Sequence, residues 1–160
     1  GHSAFYECKK LSGSLTIPNS VTSLGNNAFD SCTGFKGTLT LGIGITSIPD
    51  DCFQYCSNFT GNLVIPDQVT SIGGFAFSDC TGFKGYLTIG SGVRKIGTGA
   101  FYRGTYYGNP LSFAKVYCKA TTPPTTGSSA FGESSNRYSY LDTVSSLFRS
   151  FKSLESQLLN

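Results

Sequence analysis

Gly61–Lys84 reads GNLVIPDQVTSIGGFAFSDCTGFK, and this stretch decides the fold because the chain repeats it every 24 residues. Gly13–Lys36 (GSLTIPNSVTSLGNNAFDSCTGFK) is nearly identical, and Gly37–Thr60 (GTLTLGIGITSIPDDCFQYCSNFT) is a looser copy. A fourth unit begins in phase at Gly85, and residues 1–12 are the tail of an earlier one. Self-similarity at a period of about 20–50 residues indicates a stacked-repeat architecture. We therefore expect the recurring residues to build a shared core and the differing ones to carry function.

Eight apolar positions recur in each unit, and most of the other positions hold small or polar residues. No single unit can bury eight apolar side chains by itself, so each unit needs neighbours on both sides. Three of these columns hold leucine, phenylalanine and cysteine: Leu15, Leu39, Leu63 and Leu87; Phe5, Phe29, Phe53, Phe77 and Phe101; and Cys8, Cys32, Cys56 and Cys80.

Each unit predicts two short extended segments and one turn. Leu39-Thr40-Leu41 alternates apolar with polar residues, as a half-buried strand does. A second extended segment is predicted at residues 21–24, where Gly25 ends it. The stretch Ala28–Cys32 has room for one helical or 3₁₀ turn before Thr33 and Gly34 reverse the chain.

Read from the cysteine, the unit is C-x₂-F-x₃-L-x-[IL], then V-T-S-[IL]-G, then A-F-x₂-C. This pattern resembles the BspA-like leucine-rich repeats of bacterial surface proteins, the Treponema pallidum type, over residues 4–131. The unit is one residue longer than the family's usual one, because a residue such as Gly37 is added before the first strand. The resemblance implies a β-rich α/β solenoid, a right-handed superhelix of short strands and short helical or 3₁₀ turns. With 160 residues, about five turns are expected.

The predicted domain organisation is a solenoid over residues 1–131 followed by a cap over 132–160. The cap contains helical apolar spacing from Leu141 to Leu158, which predicts an amphipathic helix at about 141–159 that closes the open end of the core. The solenoid divides into regular units at 13–36, 37–60, 61–84 and 85–108, and an irregular closing turn at 109–131.

Composition excludes several classes of function. A net charge of +3 with 13% charged residues lacks the basic stripe of a nucleic-acid-binding protein. No apolar run is long enough to span a bilayer. The chain enters in the middle of a repeat and contains no Met, so we expect it to be a piece of a longer or processed product. Localisation at the cell surface or outside the cell is implied by the resemblance alone, and a monomer is expected.

The six cysteines are interpreted as reduced core residues. Four of them share one column, and free Cys behaves as a small buried hydrophobe. Parallel side chains stacked in register aim poorly at each other for a disulfide, although a bridge involving Cys52, Cys56 or Cys118 stays open. A column also spreads its members along a line, whereas zinc requires tetrahedral convergence. We therefore predict no metal site.

Catalytic constellations are missing from the sequence. His2 is the only histidine, so no Ser-His or Cys-His relay is available. The carboxylates show no pattern of a pair facing across a cleft, and Asp50-Asp51 suit a turn. We predict a protein that is not an enzyme and uses no cofactor.

The candidate binding residues lie where the repeat loses its regularity. Tyr and Arg are the residue types enriched at binding hot spots, although the same side chains could simply cover the last turn of a solenoid. The fourth unit and the loop after it carry Tyr86, Arg94, Lys95, Tyr102, Arg103, Tyr106 and Tyr107.

These observations predict a non-enzymatic binding scaffold. The resemblance implies that it is an extracellular module for protein interaction or adhesion, with a host matrix or cell-surface protein as partner. Two alternatives stay open. One is a structural spacer within a longer surface protein. The other is a carbohydrate-binding module whose stacking platforms would be Tyr86, Tyr102, Tyr106, Tyr107 and Tyr117.

Overall fold

The structure is a computed structural model that describes residues 1–104 and 113–132. Nine short β-strands are present in these residues, and no helix is. The strands are β1 (Gly13–Thr16), β2 (Phe35–Thr40), β3 (Ser47–Ile48), β4 (Leu63–Val64), β5 (Ser71–Ile72), β6 (Tyr86–Ile89), β7 (Lys95–Ile96), β8 (Lys115–Cys118) and β9 (Thr125–Thr126).

All strand pairs are parallel and join one repeat unit to the next. β1 pairs with β2, β4–β6–β8 form a three-stranded sheet, and β3–β5–β7–β9 form a four-stranded sheet. The register keeps the predicted columns together, since Leu63 pairs with Leu87 and Ile48 with Ile72. This parallel, strand-rich arrangement is that of a repeat solenoid.

Two ladders of phenylalanine rings run through the core. In the first, Phe29, Phe53, Phe77 and Phe101 stack face to face with centroids 5.4 Å apart. The ladder extends to Phe5 at 5.0 Å and to Phe131 at 5.2 Å. The second ladder joins Phe35, Phe59, Phe83 and Phe113 at 5.3 to 6.0 Å. The predicted apolar columns therefore form the core of the solenoid.

The A-F-x₂-C segments form turns in place of the predicted helical or 3₁₀ turn. In the first full unit the Cys32 amide bonds within its own segment, to the Phe29 carbonyl at 3.3 Å. The Phe29 amide instead crosses to the next unit and donates to the Cys52 carbonyl at 2.8 Å. Asn27 adopts a left-handed conformation with φ of 56°. Bonds between units thus replace the bonds that a helix would need.

Close contact between units also explains one recurring glycine. A Cβ at Gly82 would collide with the backbone carbonyl oxygen of Phe59 in the preceding unit. Gly34 is in the same situation against the carbonyl oxygens of Lys9 and Leu11. Packing against the preceding unit therefore favours glycine at positions 34 and 82, whereas the looser unit holds Asn58 there.

The six cysteines are free thiols, which agrees with the prediction of reduced core residues. Cys56 donates its thiol hydrogen to the Phe29 carbonyl oxygen at 3.0 Å, and Cys80 donates to that of Phe53 at 3.0 Å. Burial raises the pKa of the Cys52 thiol to about 12. Cys32 makes the same kind of bond to the Phe5 carbonyl oxygen at 2.9 Å, so these three cysteines each link their own turn to the turn before it.

Several predictions fall outside the described residues. The capping helix at about 141–159 and Tyr106 and Tyr107 are among them, and the boundary at 131/132 and the count of about five turns stay predictions. Across 1–104 and 113–132 no helix could cross a membrane.

Candidate interaction site

Two tyrosines meet on the outward side of the three-stranded sheet. Tyr86 begins β6, and Tyr117 lies on the neighbouring strand β8, opposite Thr88. Their rings pack edge to face with centroids 5.7 Å apart and an interplanar angle of 73°. Each residue is 45% exposed, so the pair is open to solvent.

Val64 extends this patch across the sheet. It pairs with Thr88 from the other side, which places Val64, Thr88 and Tyr117 in one row over three strands. Val64 is 50% exposed, which is high for an apolar residue in a sheet. We call Val64, Tyr86 and Tyr117 the tyrosine face.

The charged residues predicted to share this site lie on other elements. Arg94 folds over its own loop, where the guanidinium donates to the carbonyl oxygens of Ser91 at 2.7 Å and Val93 at 3.3 Å. Lys95 begins β7 of the four-stranded sheet, where it pairs with Ser71 and Thr125. Neither residue belongs to the sheet that carries the tyrosine face.

Tyr102 and Arg103 follow in the turn that closes the fourth unit, and both are half-buried. The Nε atom of Arg103 is buried, and none of the residues that the structure describes offers it a hydrogen-bond partner. The structure therefore places Tyr86 beside Tyr117. It distributes Arg94, Lys95, Tyr102 and Arg103 over β7 and two loops, and Tyr106 and Tyr107 lie outside the described residues.

The Arg94 loop is held by a polar contact with the preceding unit. Asp67 accepts a hydrogen bond from the Ser91 amide at 2.8 Å and forms an ion pair with Lys119 at 3.6 Å. The Ser91 amide, with a smaller effect of Lys119, lowers the pKa of the Asp67 carboxyl. One exposed carboxylate of the preceding unit therefore contacts both this loop and Lys119 of the closing turn.

A groove runs along the four-stranded sheet and has a volume of about 740 Å³. The residues at the starts of β3, β5, β7 and β9 line it, with Asp50, Asp51 and Phe75 from the following turns. Phe75 is 40% exposed. Asp50 and Asp51 lie in a turn, as their sequence predicts. The groove itself could not be predicted from the sequence, because residues of several different units line it.

Carboxylates dominate the electrostatics of one end of the groove. Burial raises the pKa of Asp51, and the charges of Asp50 and Asp30 raise it further. Asp50 accepts a hydrogen bond from the Gly74 amide at 2.6 Å, which fixes its side chain. Lys95 supplies the opposite charge further along the groove.

Within the two described ranges, no group of three or more His, Cys, Asp or Glu side chains could hold a metal ion. The buried thiols face the core, and the exposed groups are aromatic rings, hydroxyls and single charges. Such surfaces bind partners through stacking and hydrogen bonds.

A family model of the BspA-type leucine-rich repeat region matches residues 1–107 in six copies. The chain belongs to this family. BspA-type repeats are commonly protein-interaction modules, and the family is typically found at the cell surface or outside the cell. Leucine-rich repeat proteins are generally non-enzymatic. Neither the curated proteins nor the solved structures include a match to this chain.

Proposed function

We propose that this chain is a non-enzymatic adhesion module of a bacterial surface protein, and that it binds a host matrix or cell-surface protein through the tyrosine face. The observation that carries the proposal is the exposed pair of Tyr86 and Tyr117, because earlier units hold Ser14, Thr38 and Asn62 at the first position and Thr40, Val64 and Thr88 at the second. Exposed aromatic residues on a rigid repeat scaffold are the usual anchors of a protein interface.

The scaffold under the pair is rigid. Leu87, next to Tyr86, is fully buried in the core. β6 is bonded to β4 on one side and to β8 on the other. The tyrosine rings therefore lose little backbone freedom when a partner binds, which keeps the entropic cost of association low.

The surroundings fit the anatomy of a protein interface. Val64 adds apolar area to the centre, and Thr88 lies between it and Tyr117 with a hydroxyl for hydrogen bonds. Hot spots of this kind sit inside a polar rim that excludes water. We propose Arg94, Lys95, Tyr102 and Arg103 as more peripheral contacts.

The geometry of the pair favours a protein over a sugar at this face. The two rings stand at 73° to each other, so they offer an edge and a face and no continuous flat platform. An interlocking pair suits the side chains of a protein partner, which can fill the corner between the rings.

The experiment measures binding to immobilised purified matrix proteins and to host cells. Tyr86→Ala and Tyr117→Ala are each expected to weaken binding by about 30-fold, which corresponds to about 2 kcal/mol. Tyr55→Ala serves as the control, because Tyr55 is equally exposed (48%) but lies outside the tyrosine face.

A charge-reversal variant, Arg94→Glu with Arg103→Glu, tests the peripheral contacts and should slow association in a salt-dependent way. Binding that is unchanged in both tyrosine variants would contradict the proposed face. If no matrix protein or cell binds the wild-type chain, the structural-spacer alternative replaces adhesion.

A further inference from the structure

We infer that the groove along β3, β5, β7 and β9 is a second binding site, which takes a neutral oligosaccharide with one sugar ring stacked on Phe75. The inference is independent of the tyrosine face, because the groove belongs to the other sheet. Its volume of about 740 Å³ lies within the usual range of ligand sites.

Phe75 is the unusual residue of its column. It adopts a left-handed backbone conformation with φ of 50° and is nevertheless 40% exposed. A bulky residue in this region is an outlier, and the conformation is strained. The equivalent positions hold residue types that suit tight turns: Ser3, Asn27, Asp51, Gly99 and Ser129.

The strained backbone at Phe75 places its aromatic ring over a glycine of the next unit. A Cβ at Gly99 would meet the Cε1 and Cδ1 atoms of Phe75 at 2.5 and 2.6 Å, so the ring lies over this glycine. One side of the ring is covered by the backbone of the next unit, and the exposed side belongs to the groove. A ring supported in this way is a flat apolar platform.

Polar groups surround the platform. The carboxylates of Asp50 and Asp51 lie at one end of the groove, and Ser71, Thr98 and Lys95 line it further along. Carboxylates accept two hydrogen bonds readily, hydroxyls both donate and accept, and Lys donates. The site thus combines one apolar surface with many hydrogen-bonding groups.

A sugar fits this combination better than a peptide does. The backbone of the floor is already paired, since the Gly73 amide donates to Ile48 at 2.7 Å and the Gly97 amide to Ile72 at 2.8 Å. An added peptide strand would therefore find no free sheet edge there. Ile72 and Ile96 are buried in the core, so their side chains are not exposed to a peptide anchor.

A pyranose ring has the complementary pattern, with an apolar C–H face and hydroxyl groups around its rim. The hydroxyls would donate to Asp50 and Asp51, and the C–H face would cover Phe75. An anionic sugar would be repelled by the two adjacent carboxylates. The expected ligand is therefore neutral.

The test measures binding to a panel of neutral tetrasaccharides, namely β-1,4- and β-1,3-glucan, α-glucan, mannan, xylan and chitin fragments, by calorimetry. We expect the wild-type chain to bind at least one member, and Phe75→Asn to weaken that binding about tenfold or more. Because Asn tolerates the left-handed conformation, the melting temperature of this variant should be unchanged or higher.

Two further variants keep the test decisive. Asp51→Asn should weaken binding to the same sugar, and Asn also tolerates the left-handed backbone conformation at this position. Tyr55→Ala should leave it unchanged, because Tyr55 has a left-handed φ of 56° and similar exposure but does not line the groove.

Three results would overturn the inference. The first is the absence of binding to every member of the panel. The second is sugar binding that Phe75→Asn leaves intact. The third is Phe75-dependent binding of a tetralysine peptide with none of any sugar, which would assign the groove to basic peptides. Failure here is distinguishable from failure of the adhesion proposal, because Tyr86→Ala should not affect sugar binding and Phe75→Asn should not affect binding to matrix proteins.

Discussion

Equivalent polar positions in successive units perform the same structural task with different residues. Asn19 and Asp67 stand in one column, and each accepts a hydrogen bond from the backbone amide 24 residues further on, at 3.0 Å from Ile43 and at 2.8 Å from Ser91. A short side chain with an oxygen at its end is enough for this link. At the level of single residues, this link therefore needs a side-chain oxygen at such a position, but not a charge.

The pKa values of two carboxyl groups should be shifted in opposite directions. Burial and the charges of Asp50 and Asp30 raise the pKa of Asp51, whereas the Ser91 amide and Lys119 lower that of Asp67. Carboxyl chemical shifts followed by NMR against pH should therefore show Asp67 titrating at lower pH than Asp51. The reverse order would contradict the described hydrogen bonds.

The effects on stability have opposite signs. Asp67 stabilises the fold above its ordinary pKa, and this contribution is lost as the pH falls through its lowered value. Asp51 binds its proton more tightly in the folded state, so its contribution is present at low pH. That contribution is lost as the pH rises from its ordinary pKa through its raised one. Acid-unfolding curves of the variants Asp67→Asn and Asp51→Asn would measure these two contributions to stability separately.

The cysteines give a second prediction for single residues. Four are buried, whereas Cys8 and Cys118 are half-buried. Thiolate is the reactive form, and burial raises the pKa of the Cys118 thiol and, more strongly, that of Cys52. Native protein treated with iodoacetamide at pH 8 should therefore gain at most two adducts, at Cys8 and Cys118. After denaturation without reductant it should gain six, and a lower number would reveal a disulfide.

At the scale of elements, the phenylalanine ladder is the main source of cohesion between turns. Phe77 is fully buried between Phe53 and Phe101, with ring centroids 5.4 Å away on both sides. Phe5 ends the described ladder and is 45% exposed, with one stacking partner, Phe29. The same residue type therefore has two very different environments.

Phe77→Ala should lower the free energy of unfolding by about 3–5 kcal/mol, because it removes a large buried side chain and leaves a cavity. Phe5→Ala is the matched control and should cost much less, since its ring is already half in water. Urea unfolding followed by circular dichroism measures both. Equal losses would mean that the ladder is not the core.

Among the elements, the sequence predicts some features and not others. The columns Leu63/Leu87 and Ile48/Ile72 could be predicted, because a fixed period places equivalent residues side by side. The form of the turn at residues 27–32 could not, because every second amide (Asn27, Phe29 and Ser31) bonds to the next unit, and local spacing contains no information about such bonds. Tertiary hydrogen bonds here override the local preference for a helical turn.

At the scale of the whole molecule, the two larger sheets give the solenoid two distinct surfaces. The three-stranded sheet carries the tyrosine face, and the four-stranded sheet carries the groove with Phe75. The sequence pointed to Tyr86 through its departure from the repeat. It did not place Tyr117 beside it, because the irregular closing turn pairs residue 87 with residue 116, a spacing that the 24-residue period does not supply. The groove was missed since no single unit contains it.

The central claim is that departures from the repeat carry the binding function while the repeated columns carry the fold. The most direct measurement compares wild type with Tyr86→Thr/Tyr117→Thr, which restores the Thr of Thr38 and Thr40 at the equivalent positions. The melting temperature should change little, whereas binding to the matrix protein that wild type recognises should fall by about 30-fold or more. Unchanged binding, or a loss of binding that only accompanies unfolding, would contradict the claim.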